Sequence, residues 1–124
     1  MVAPAHGQPL VDVLRLEGPP ELIAGQRAMV VAEVDVAPEL PLLVTPRSEG
    51  TALDVVRGRL TRGDALDSDT RPLQFRIPVV ARTAGTAILR VHLTTFRCDD
   101  HDECVPVEAE ASLTLRIRAS PAPP

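Results

Sequence analysis

Residues 73–95 read LQFRIPVVARTAGTAILRVHLTT, and the fold class turns on how this stretch alternates. In its first half Leu73, Phe75, Ile77 and Val79 recur at every second position. In its second half Ala87, Leu89, Val91 and Leu93 do the same, separated by Ile88, Arg90, His92 and Thr94. A period of two places one set of side chains on one face of a strand, whereas a helix needs spacings of three and four. Ala84, Gly85 and Thr86 interrupt the pattern as a turn. Pro78 would break a helix, and inside a strand its missing N–H argues for an edge position or a bulge.

The same alternation spreads outward from this pair. It occurs at 11–16 (VDVLRL), 30–36 (VVAEVDV) and 111–118 (ASLTLRIR), with shorter candidates at 42–45 and 53–60. Turn clusters separate the runs at 18–20, 24–26, 48–50 and 64–71. Gly58 and Gly63 discourage a helix in the proline-free stretch 55–66. About seven short strands at this spacing, up to nine, predict an all-β protein folded as an antiparallel β-sandwich. Residues 1–119 are expected to form that single domain, and residues 120–124 (SPAPP) a disordered tail or the start of a linker.

A chain of 124 residues suits one core. That core must be made of Val, Leu, Ile and Ala, because Phe75 and Phe96 are its only aromatic residues. Two phenylalanines make no stacking platform for single-stranded nucleic acid or sugars. A formal charge of −4 lacks the basic footprint of a nucleic-acid binder, so no nucleic acid is expected as partner. Lysine is absent while arginine is plentiful, a composition that reads as a high-GC genome. No apolar run is long enough to span a bilayer, and the opening MVAPAHGQPL lacks the basic and apolar regions of a signal peptide.

The chemistry concentrates at residues 89–110, LRVHLTTFRCDDHDECVPVEAE. A strand runs into Cys98, five polar residues follow, and Cys104 opens the last strand. If the strands pair as a hairpin with a five-residue loop, the two cysteines oppose each other on one face, within reach of a disulfide. Closing so short a loop is worth only about 2 to 2.5 kcal/mol, which makes a weak staple. An exposed tip disulfide is open to an attacking thiolate. Asp99, Asp100, Asp102 and Glu103 disfavour thiolate there, and only Arg97 and His101 oppose them. The pair is thus suited to being attacked rather than attacking, although a purely structural disulfide remains the alternative.

The segment from Phe75 onward, FRIPVVARTAGTAILRVHLTTFRCDDHDECVPVEAEASLTLRI, resembles the end of the immunoglobulin-like N-terminal domain of the DsbD family of bacterial thiol:disulfide interchange proteins. The features that carry it are the F-x-I-P-V phrase from Phe75 to Val79, the strand after Gly85, and C-x5-C with Pro106 close behind. The resemblance implies an immunoglobulin-like sandwich in the periplasm or otherwise outside the cytoplasm, with Cys98 and Cys104 as an electron-relay pair. It implies a thioredoxin-like or DsbD-type redox protein as partner, no cofactor, and Cys104 as the cysteine of the mixed disulfide. It covers about the last fifty residues. The family usually carries aromatic residues and a capping loop near its cysteines, where this chain offers only Phe96. Similar sandwiches with a cysteine hairpin stand beside thioredoxin-like or propeller domains, so an accessory domain of such an assembly is the second reading.

Other constellations have plain readings. Cys98, His101 and Cys104 are three donors, but zinc prefers closer C-x2-C pairs and a fourth ligand, and His6 and His92 are far away in sequence. His92 is expected at the sheet surface. Asp64, Asp67 and Asp69, like the acidic tip, lack EF-hand spacing and read as solvated turns. No G-x-S-x-G elbow, P-loop or G-x-G-x-x-G is present. Arg57, Arg59 and Arg62 read as one solvated strand face.

Overall fold

The structure is a computed structural model that describes residues 13–37, 40–67, 69 and 71–121. His6, the first two residues of the run at 11–16, Pro38, Ser68 and the end of the tail at 122–124 lie outside these.

Among the described residues, nine strands form two sheets. In chain order they are β1 (Leu14–Glu17), β2 (Glu21–Ile23), β3 (Arg27–Val34), β4 (Leu43–Glu49), β5 (Leu53–Val55), β6 (Leu60–Thr61), β7 (Leu73–Ala81), β8 (Gly85–Cys98) and β9 (Cys104–Arg118). One sheet runs β1-β3-β7-β5 and the other β2-β9-β8-β4-β6. With β1, β3, β7 and β5 read as strands A, B, E and D, and β4, β8 and β9 as C, F and G, this is the strand order of an immunoglobulin-like sandwich. The alternating runs became strands because their apolar sets meet between the sheets: Val30, Ala32 and Val34 of β3, Phe75, Ile77 and Val79 of β7, and Leu89, Val91 and Leu93 of β8 are all buried. Each large aliphatic side chain so buried contributes roughly 1.5–3 kcal/mol of hydrophobic stabilisation.

One pairing is parallel. The chain leaves β1 in the first sheet, turns through Gly18, Pro19 and Pro20, and joins the second sheet as β2 beside the end of β9. A Cβ on Gly18 would come within 3.1 Å of the Val30 side chain and 3.2 Å of Leu113, so a larger residue at the crossing would have to push those side chains back by a few tenths of an ångström. β2 carries no separate signal in the sequence, because three residues are too few to show a period.

Two expectations change. Pro78 lies on β7, an inner strand flanked by β3 and β5. Its carbonyl accepts the Val56 N–H at 3.0 Å, just past the last β5 rung, Val55 opposite Val79. The absent N–H therefore points to where the β5 ladder stops, and no bulge or edge strand is needed. The run at 53–60 is two short strands in different sheets, β5 and β6, joined through Gly58.

The arginines of that region are not one solvated face. Arg57 pairs with Asp64 at 2.6 Å. Arg62 begins a single 3₁₀ turn, Arg62–Asp64, and its guanidinium donates to the carbonyls of Ala37 and Leu40. It pins the loop after β3 to the second sheet.

Candidate functional site

Strands β8 and β9 pair along their whole length, from Gly85 opposite Ile117 to Cys98 opposite Cys104. Their neighbour β4 stops at Leu43, opposite Thr94. The last rungs of the hairpin therefore project beyond the end of β4, held to each other and tied back by the Thr95 hydroxyl, which donates to the Pro41 carbonyl at 3.0 Å.

At the tip one carboxylate organises the turn. Asp99 Oδ1 accepts the N–H groups of His101 at 2.8 Å and Glu103 at 2.9 Å. The Asp102 N–H donates to the Asp99 carbonyl at 3.2 Å, and the Asp99 N–H to the Glu103 carbonyl at 3.0 Å. Asp102 adopts φ 62°, the left-handed position of a three-residue hairpin turn. The five polar residues are thus not all loop. Asp99 and Glu103 form a hydrogen-bonded rung, so Cys98 and Cys104 occupy the next, non-hydrogen-bonded one, where opposed Cα atoms come closest. Their Cα atoms are 4.0 Å apart and their sulfurs are bonded as a disulfide.

Both cysteines are exposed. Their side chains lie on the outer face of the sheet, the face of Phe96 and its cross-strand partner Pro106. Arg97 is one residue out of phase and faces the other way, so of the two cations near the sulfurs in sequence, one is on the opposite side of the hairpin. Asp99, Asp100, Asp102 and Glu103 are all exposed around the tip. Cys104 Sγ stands 3.9 Å from the Asp102 carbonyl oxygen. His92, placed as expected at the sheet surface, meets Glu108 at 2.5 Å.

Beneath the inner face of the hairpin is a cleft of about 300 Å³, lined by Val36, Ala37, Leu40, Leu93, Val107 and Ala109, with Cys98 at its end. Its far wall is the loop that Arg62 holds, and an Arg71–Asp35 ion pair at 2.7 Å stands beside it. Nothing in the sequence near Cys98 announced this cleft, because its two walls are some sixty residues apart in the chain.

The two cysteine sulfurs are bonded to each other, and no cluster of three metal-ligating side chains occurs among the described residues. Among the described residues no helix is long and apolar enough to cross a membrane.

No protein-family model matches the chain, and no curated protein matches it.

Proposed function

We propose that this domain is a thiol-disulfide exchange module whose working group is the Cys98–Cys104 disulfide. The observation that carries the reading is the placement of that bond: exposed, at the end of a projecting hairpin, joining strands whose turn is already closed by Asp99. A disulfide so placed shields no core residue and leaves its sulfurs open to in-line attack by another protein's thiolate.

The chemistry is a two-electron transfer from a partner dithiol. A partner thiolate attacks Cys104 Sγ, the Cys98–Cys104 bond breaks, and its electron pair leaves on Cys98 as thiolate. The partner's second thiolate then attacks the mixed disulfide and releases Cys104, so the partner is oxidised to its disulfide and this pair is reduced to two thiols after protonation. The reverse sequence passes the electrons onward. Cys104 is the better target because leaving charge on its sulfur would face the Asp102 carbonyl oxygen. That choice agrees with the DsbD resemblance, which also supplies the proposed setting: an oxidising compartment such as the periplasm, with a thioredoxin-like or DsbD-type protein as partner. Disulfides persist in such compartments.

The test is the reduction potential of the pair, read by equilibrating the domain in defined glutathione buffers and trapping free thiols. A value between roughly −180 and −270 mV is expected for an exchanging pair. A value below about −300 mV marks a structural bond and replaces the relay with the accessory-domain reading.

A further inference from the structure

Strand β9 has one unfinished edge. On one side it pairs with β8 throughout, but on the other β2 reaches only Arg116 to Arg118. The Arg116 N–H points to that outer side, donating to the Pro20 carbonyl at 3.0 Å. By the two-residue period of a strand, Thr114, Ser112, Glu110, Glu108 and Cys104 turn their N–H and C=O groups the same way, and Pro106 its C=O alone. No strand among the described residues pairs with β9 there. Among the described residues this row of backbone donors and acceptors is unpaired, and it ends at the attackable cysteine.

The face beside this edge is acidic. The Glu108 and Glu110 side chains, 66% and 44% exposed, stand on the same face as Cys104; each keeps open carboxylate surface although Glu108 meets His92 and Glu110 meets Arg90, and Asp99, Asp100, Asp102 and Glu103 continue the charge over the tip. An unpaired edge is a template for strand addition, in which main-chain bonds give affinity and alternate side chains give specificity. Resting on the exchange function above, we infer that the redox partner docks by adding a basic extended segment to the outer edge of β9, antiparallel to it. Its cations lie opposite Glu110 and Glu108, and its cysteine arrives opposite Cys104. A second copy of this chain fits less well, because pairing β9 with itself brings the two glutamate rows together.

The probe is a short synthetic peptide in which Lys, Arg, Ala and a terminal Cys alternate with valines, compared with the same peptide N-methylated on the amides that would face β9. Both have the same charge and the same thiol, but only the first can pair as a strand. Mixed-disulfide formation at Cys104 is expected at least tenfold faster with the unmethylated peptide, and the advantage should fall with added salt. Glu110→Pro removes one outward N–H without touching the β8 ladder. It should bring the two peptides to equal rates, with unchanged amide-exchange protection along the β8 ladder reporting that the hairpin is intact. Equal rates with the wild-type chain would overturn edge docking and leave exchange standing. Failure of dithiothreitol and both peptides to open the bond would overturn exchange itself. Dimerisation that Glu110→Pro abolishes would assign the edge to a second copy and overturn the inferred partner.

Discussion

Phe75 and Phe96, the chain's two aromatic residues, sit in regions built on different terms. Phe75 is wholly buried on β7, with Ala32 of β3 opposite it in the ladder, in the layer between the sheets. Phe96 is 37% exposed on the outer face of the β8–β9 tip, two residues from Cys98. Around Phe75, order comes from apolar area taken out of water by two sheets. Around Phe96 it comes from a ladder of backbone bonds, a carboxylate in a turn and one covalent link. A region held in this second way can change its covalent state without disturbing the first.

The sharpest way to break the comparison is to truncate both phenylalanines. Phe75→Ala removes a ring from a filled site and should cost about 3–5 kcal/mol, read as a fall in the denaturant midpoint. Phe96→Ala should cost less, about 1–2 kcal/mol, since 37% of the residue is already in water. Similar losses at the two sites would mean that the tip is part of the core.

Next in size is the disulfide. Replacing both Cys98 and Cys104 with Ser should lower global stability by about 2 kcal/mol through the loop-closure term. Amide exchange should rise most at residues 95–107, and in β3 and β7 by no more than the fall in global stability. An equal rise throughout would show that the tip opens only with the whole sandwich.

The smallest effect sharpens the contrast from the body's own surface. The Asp64 carboxyl is held below its ordinary value, chiefly by the Thr61 N–H and then by Arg57. A folded value lower than the unfolded one means stability that is fully present above the unfolded pKa and is lost as pH falls through the folded one. Asp64→Asn should therefore flatten the acid limb of the stability curve below about pH 4 and leave its neutral region nearly unchanged, as thermal melts across pH would show.

What could be read from the sequence follows the same division. β7 and the middle of β8 were legible residue by residue because burial on one face imposes a period of two. The cysteine rung was legible because five residues between two cysteines can close a hairpin. The turn itself was not, since Asp99 spends its side chain and its N–H on neighbours, shrinking the loop to three residues. Arg62 was misread because a guanidinium that caps two carbonyls across the fold looks, in sequence, like any other arginine in a polar run. The cleft and the open β9 edge depend on what β2, β4 and the loop after β3 fail to cover, and no local pattern encodes where a distant strand stops.

The parallel rungs of β2 on β9 also have a mechanical side. Both strands run the same way, β2 early among the described strands and β9 last among them. A pull on the two ends of the domain in opposite directions loads those rungs in shear, so their hydrogen bonds strain together rather than opening one after another. The cysteine rung lies at the other end of β9, off this path. Tension along the chain is thus borne by the base of the sandwich, and the tip stays slack in either oxidation state.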